Sequence, residues 1–204
     1  MSTGDSVSEW DALACDWDDD PAVRAYATGA FESLCQLLER AALGLESARV
    51  LDFGCGTGVL TELLVEAGAA VHAVDASEAV LDVLRAKTHL IASGRVVAER
   101  ALPAVAPAFD LVVCSSVCSF LENYPAEVLE LSERLVPGGW FVQGDWERVP
   151  DEAGGLSPAE ITEALNAAGL SGVEVRVGFE RAVGELRMAP LMGSGQRPLR
   201  DGPA

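Results

Sequence analysis

The sequence predicts an α/β fold: a three-layer sandwich on a seven-stranded, mostly parallel sheet, with one antiparallel strand supplied by a C-terminal hairpin. Three observations carry this. From residue 49 onward, short apolar runs alternate with amphipathic helical stretches, which sets a parallel sheet between two helical layers. The first apolar run enters a glycine-rich turn, "VLDFGCGTGVL" (50–60), that opens a helix, an arrangement that holds a ligand at the carboxyl end of a strand. The last two apolar runs follow one another across a tight turn, so the final strand returns antiparallel.

Each element has its own local reason. Asp20 and Pro21 form an N-cap and a first-turn proline. Val23, Ala27, Ala30, Phe31, Leu34 and Leu38 then recur at helical spacing, with Gly44 as the expected stop. "RVLDF" reads as a buried strand, and Thr57 to Gly68 as the helix after the glycine turn. "AAVHAVD" is the second strand, and Ser77 caps a helix with Val80, Leu84 and Ile91 on one face. "RVVAE" and "FDLVVCSS" are the third and fourth strands. "PAEVLELSERLV" is a helix closed by Pro137, Gly138 and Gly139, and "WFVQGDW" is the fifth strand. "SPAEITEALNAAG" carries the fullest helix signals: Ser157 at the cap, Pro158 in the first turn, Glu160 completing a capping box and Gly169 past the end. "GVEVRVGFERA" and "GELRMAPLMGSG" are the two strands of the hairpin, and "RPLRDGPA" reads as a frayed end. The expected organisation is a helical lid segment over residues 1–45, a ligand-binding domain over 46–196 and a tail over 197–204.

Composition excludes several classes of function. The 204 residues suit one domain with a small appendage. Fourteen basic residues against 32 acidic ones, a net charge of −18, argue against a nucleic-acid or acidic-membrane partner. Such acidity fits a soluble, self-repelling surface, with a high-salt habitat as the alternative reading. No apolar run approaches the roughly 18–20 residues that span a bilayer. "MSTGDSVSEWD" lacks a signal-peptide pattern, so a cytoplasmic location is expected. Five cysteines, an odd number, argue against a disulfide framework. Cys114 and Cys118 have neither a second cysteine pair nor a nearby histidine to make a zinc site, and no metal is expected.

The glycine turn narrows the ligand. The dinucleotide fingerprint G-x-G-x-x-G is matched at Gly54 and Gly56 but meets Val59 at its third glycine, with Gly58 one residue early. Asp52 stands two residues before the turn, where it would repel a pyrophosphate and attract an ammonium or sulfonium. Asp75, at the end of the second strand, suits the hydroxyls of a ribose. A nicotinamide dinucleotide remains the alternative ligand.

With these motifs the chain resembles the class I S-adenosylmethionine-dependent methyltransferases, a Rossmann-like family, over roughly residues 50–195. "VLDFGCGTG" resembles the family's first motif, which implies that Asp52, Gly54, Cys55, Gly56 and Gly58 surround the cofactor's amino-acid end. "VHAVDAS" resembles the second-strand motif, placing Asp75 and Ala76 at the ribose. "FDLVVCSSV" and "LVPGGWFVQGD" resemble the fourth and fifth motifs. The resemblance further implies Glu99, in "AERALP", at the adenine amino group and Ser115 near the sulfur. Trp10 and Trp17, in "WDALACDWDDD", resemble a lid over the cofactor. The implied cofactor is S-adenosyl-L-methionine, leaving as S-adenosyl-L-homocysteine.

A sulfonium is an intrinsically reactive methyl donor, so alignment and exclusion of water carry much of the rate. A general base matters only for an acceptor that loses its proton with difficulty. The sequence singles out no catalytic residue. His72 lies inside the second strand and His89 on the following helix, while Tyr124, Asp145 and Glu147 are acceptor-side candidates. No "NPPY"-type motif follows the fourth strand, where base-modifying DNA or protein-glutamine enzymes of the family carry one. Phe120, Leu121, Tyr124 and Trp146 suggest an apolar cleft for a small organic acceptor. A protein methyltransferase and a non-catalytic S-adenosylmethionine-binding protein are the alternatives.

Overall fold

The computed structural model describes residues 11, 12, 14, 16–103, 108–150 and 154–199. Its strands are β1 (Arg49–Phe53), β2 (Ala70–Val74), β3 (Val96–Glu99), β4 (Phe109–Ser115), β5 (Leu135–Asp145), β6 (Ser171–Val177), β7 (Arg181–Val183), β8 (Leu186–Met188) and β9 (Leu191–Gln196). Seven of them form one sheet in the order β3-β2-β1-β4-β5-β9-β6. The pairings from β3 to β5 are parallel, and β9 runs antiparallel between β5 and β6, as the sequence predicts.

The helices are α1 (Pro21–Arg40), α2 (Val59–Glu66), α3 (Glu78–Ala86), α4 (Thr88–Ala92), α5 (Tyr124–Glu133) and α6 (Pro158–Ala167). On one face Leu34, Leu38, Leu64 and Leu84 pack on Val50, Val71, Val113 and Val142. On the other, Val128, Leu131, Ile161 and Leu165 pack on Leu51, Val112 and Phe141. Adjacent residues such as Val50 and Leu51 are both fully buried, one on each face, which is why the parallel strands read as unbroken apolar runs. Strand order reverses between β1 and β4, and that reversal opens a crevice at their carboxyl ends.

Four elements differ from the sequence expectation. Helix α1 stops at Arg40, not Gly44, because Leu43 folds back: its N–H donates to Leu38, Ala42 takes a φ of +53°, and the Leu43 side chain joins the core. The helix capped by Ser77 is two helices broken at Lys87, so Leu81 and Leu90 are buried while Ile91 is 41% exposed. Helix α5 ends at Glu133, and Pro137–Gly139 form an irregularity inside β5 rather than a helix stop. That irregularity pairs with Arg197, whose N–H donates to Gly139 and whose carbonyl accepts from Gly138, so the tail is still held at 197.

The terminal hairpin also differs. Each predicted strand divides, leaving β6 and β9 in the main sheet and β7–β8 as a separate two-stranded sheet. Gly178 donates to Pro190 at the bend. The bend carries Phe179 against α1, where a Cβ on Gly29 would lie 2.6 Å from its ring.

No helix among the described residues is long and apolar enough to cross a membrane. The described cysteines Cys35, Cys55, Cys114 and Cys118 are free, and no cluster of three or more potential metal-binding side chains occurs among the described residues.

Candidate functional site

The glycine turn is tied to the neighbouring strand before any ligand is considered. Gly54 and Cys55 donate to the Val74 carbonyl at 2.7 and 3.0 Å, and Gly58 donates back to Cys55. Cys55 is buried, and desolvation holds its thiol well above the usual range. The three glycines have different reasons. A Cβ on Gly54 would lie 2.4 Å from Val117 after β4, and one on Gly58 would lie 2.6 Å from Leu84 of α3. Only Gly56, at φ +54°, faces open space. Its N–H donates to Asp75 Oδ2 at 2.9 Å, while Asp75 Oδ1 accepts from the Ser77 N–H at 2.9 Å. Asp75 thus joins the turns after β1 and β2. Ala76, beside it, is exposed and accepts from the Arg100 guanidinium.

Asp52 is 1% exposed. Its Oδ2 accepts from Thr61 Oγ1 at 2.6 Å, and its Oδ1 has no partner among the described residues. Burial first, and the Asp75 charge after it, push its pKa up to about 6 against the relief from Thr61.

The segment before α1 fastens onto the same turns. Asp18 accepts from Thr57 Oγ1 at 2.5 Å and pairs with Lys87 at 2.7 Å, and Ser77 Oγ donates to Asp11. Trp17 shares the short 3-10 turn with Asp18 and is half-buried, while Trp10 lies outside the described residues. Asp11, Asp18, Asp52 and Asp75 therefore gather around the glycine turn. Lys87, the chain's only lysine, is engaged by Asp18 and by Glu62 at 3.6 Å. A pyrophosphate would meet carboxylates here, and a cationic ligand would be attracted.

Glu99 is placed differently from the other expected cofactor residues. Its carboxylate bonds His72 Nε2 at 2.8 Å along the sheet, with its side chain 45% exposed. His89 meets Glu62 at 2.7 Å on the outer face.

On the acceptor side, half-buried Ser115 ends β4, and Ser116, at φ +57°, donates to Gly144 of β5 at 2.7 Å. A small, mostly apolar cavity of about 20 Å³ lies under α1, lined by Tyr26, Leu34, Ser115, Gly144, Phe179 and Met192, among others. Two residues expected to face the acceptor do structural work instead. Tyr124 donates to Gln143 Oε1 at 2.7 Å within the layer on the opposite face. Asp145 accepts from the Ser119 and Trp146 N–H groups at 2.8 and 2.9 Å, fixing the loop after β4, and burial raises its pKa. Glu147 is exposed, and Trp146 packs its ring on Tyr26, one of the cavity's lining residues. Sequence reasoning passed over Tyr26 and Phe179. Tyr26 had a signal, since it stands between Val23 and Ala30 on the apolar stripe of α1. Phe179 had none, because the bend that brings it to α1 is not written locally.

Comparison with known proteins agrees with this geometry. Residues 26–160 match a family model described as a methyltransferase domain. The chain is 36% identical over 114 residues to the ubiquinone biosynthesis O-methyltransferase of Leptothrix cholodnii, a match covering 52% of this chain and 47% of that one. It is 28% identical over 205 residues to the enzyme of the same name from Bordetella avium, covering 97% and 84%. For most of the curated relatives reported, including the Leptothrix enzyme, the match spans about half the relative's length. Among solved structures, the 1,6-didemethyltoxoflavin-N1-methyltransferase of Burkholderia thailandensis, with 1,6-didemethyltoxoflavin and S-adenosylhomocysteine bound, superimposes with a TM-score of 0.71 at 19% identity, over 96% of this chain and 87% of that one.

Proposed function

This chain belongs to the class I S-adenosylmethionine-dependent methyltransferases, and we propose that it methylates an oxygen of a small organic metabolite. The observation that carries the cofactor reading is the carboxylate-lined turn at the β1–β4 crevice. Gly56 faces open space there, and the buried Asp52 Oδ1 lacks a partner among the described residues. These features fit a ligand with a ribose and a cationic amino-acid end, and they oppose a dinucleotide.

When bound, S-adenosylmethionine would supply an electrophilic methyl group for the acceptor oxygen, with S-adenosylhomocysteine as the leaving group and the hydroxyl proton released to solvent. In this reading Asp75 and Ala76 hold the ribose, and Gly54, Cys55, Gly56 and Gly58 shape the bed of the amino-acid end near Asp52. Ser115 stands towards the sulfur, Trp17 covers the site, and Glu99 serves the adenine edge. Residues 1–45 act as the lid, 46–196 as the binding domain and 197–204 as the tail. The chain's task is to align two reactants and keep water out, which asks for no metal ion. The names of the curated relatives support an oxygen acceptor. The acidic composition supports a protein without nucleic-acid or acidic-membrane partners, and a cytoplasmic location belongs to the same reading.

The test is to incubate the chain with methyl-labelled S-adenosylmethionine and a cell extract divided into small-molecule and macromolecular fractions. Label is expected in the small molecules. Label in protein alone would replace the metabolite with a peptide. Binding of the dinucleotide NAD in preference to S-adenosylmethionine would overturn the cofactor.

A further inference from the structure

Arg176 is a cation without an anion among the described residues. It belongs to β6, the outermost strand of the main sheet, and is half-buried as a whole. Its Nη1 donates to the Val177 and Gly178 carbonyls at 3.1 and 3.4 Å, which ties the guanidinium to the bend before Phe179. Its Nε and Nη2 are sealed from solvent and have no hydrogen-bond partner among the described residues. These two nitrogens form one edge of the planar group, an edge that takes both oxygens of a carboxylate at once. The chain itself supplies no such carboxylate among the described residues, although its acidic residues outnumber its basic ones 32 to 14. Glu174, two residues earlier on β6, pairs with Arg40 at 3.4 Å, and Glu32 on α1 pairs with Arg181. A buried guanidinium edge without an acceptor is costly, and a ligand that supplies the acceptor removes that cost.

The register of the sheet says where such a ligand lies. Arg176 pairs with Met192 of β9, Met192 with Gly144 of β5, and Gly144 with Ser115 of β4, one row across the crevice end of the sheet. Directly opposite residues share a face, so Arg176 stands on the α1 side with Met192. Ser115, Gly144, Met192 and Gly178, whose carbonyl the guanidinium holds, all line the cavity under α1. From Ser115 to Arg176 the row covers three strand spacings, about 14 Å. We propose that Arg176 recognises a carboxylate on the methyl acceptor, holding the molecule by the end remote from the oxygen that reacts near Ser115. The inference rests on the methyltransferase reading and gives the acceptor its chemical class, a small organic acid. One uncompensated cation with a two-donor edge fits a carboxylate, whereas a phosphate dianion asks for a second free cation. The cavity of about 20 Å³ is smaller than any such acid, so seating one requires α1 to lift from the row.

The experiment has two arms. In the first, the side-chain Nε–H resonance of Arg176 in the wild-type chain, assigned by its loss in Arg176→Met, is followed by nuclear magnetic resonance while butyrate or butyramide is added at constant ionic strength. The titrations are run with and without S-adenosylhomocysteine. Butyrate should move the resonance saturably and bind at least tenfold more tightly than butyramide. Equal responses, or none, would overturn the carboxylate site. In the second arm, methyl-labelled S-adenosylmethionine and the small-molecule extract are given to wild type, Arg176→Lys and Arg176→Met. The wild-type product should couple to a hydrazide resin through a carbodiimide, before and after phosphatase treatment. Both variants should bind S-adenosylhomocysteine within twofold of wild type and lose about 10- to 100-fold in initial labelling rate, since lysine keeps the charge but not the two-donor edge. Label that does not couple, or variants that keep the wild-type rate, would overturn the acceptor's carboxylate. Coupling lost after phosphatase would put a phosphate in its place. Wild type that does not bind S-adenosylhomocysteine would instead refute the cofactor reading, which the butyrate titration in its absence tests apart.

Discussion

Asp52→Asn should stabilise the ligand-free protein and weaken its hold on the cofactor, two effects of opposite sign with one origin. In the folded chain the Asp52 carboxyl titrates near 6 against an ordinary 3.8. That gap, at about 1.4 kcal/mol per pKa unit, makes the ionised side chain cost about 3 kcal/mol of stability at pH 7. A raised carboxyl pKa means that the folded state takes up its proton first. Stability should therefore rise as pH falls from about 6 towards 4, and level off once the unfolded chain is protonated too. Asparagine keeps an oxygen for the Thr61 hydroxyl and carries no charge, so its curve lacks this component. The two proteins should differ most at pH 7 and converge near pH 4, while groups common to both, such as Asp145, cancel in the difference. For S-adenosylmethionine the sign reverses, because an ionised Asp52 attracts a cationic ligand. The substitution should loosen binding by about 1–3 kcal/mol at pH 7, and wild-type affinity should decline below about pH 6. Urea unfolding of both proteins between pH 4.5 and 7.5, with calorimetry of S-adenosylmethionine binding, reads both effects. Parallel stability curves, or a ligand-free Asp52→Asn protein less stable than wild type at pH 7, would refute the buried-charge argument.

Two further predictions concern the surroundings of the turn. Gly54→Ala drives a methyl group to 2.4 Å from Val117 at a φ of +73° and should cost about 3 kcal/mol in urea unfolding. Gly56→Ala meets no neighbour, so it should cost about 1 kcal/mol of stability yet weaken S-adenosylmethionine binding more than tenfold, about 1.4 kcal/mol; equal stability losses would contradict the division between packing and ligand glycines. Lys87→Ala removes the cation that holds Asp18 at 2.7 Å, where the two side chains are only 14% and 19% exposed. Limited proteolysis should then cut ahead of α1 faster, with a stability loss of about 1–2 kcal/mol, and an unchanged cleavage rate would show that the Thr57 and Ser77 contacts alone hold the segment.

The local elements were legible because their signals are local. The Asp20–Pro21 start of α1 and the Ser157–Glu160 capping box of α6 stand where the sequence put them, since a cap satisfies N–H groups two or three residues away. The single antiparallel strand was legible because two consecutive strands leave room for no crossover. Gly44 and Pro137–Gly139 misled for a common reason: the helices before them stop where Leu43 finds the core and where Leu135 pairs with β4, and both contacts depend on distant partners.

The sequence determined the alternating layers, the glycine turn and its acidic anchors Asp52 and Asp75, because strand, turn and cap chemistry are settled within a few residues along the chain. Tertiary structure decided the acceptor side. It turned Tyr124 and Asp145 into supports, paired Glu99 with His72, fastened Asp11 and Asp18 across the glycine turn, and brought the rings of Trp146 and Phe179 against Tyr26. Those residues come from α1, the end of β5 and the bend after β6, more than 140 positions apart at the extremes. Only packing on a common sheet fixes which of their side chains meet.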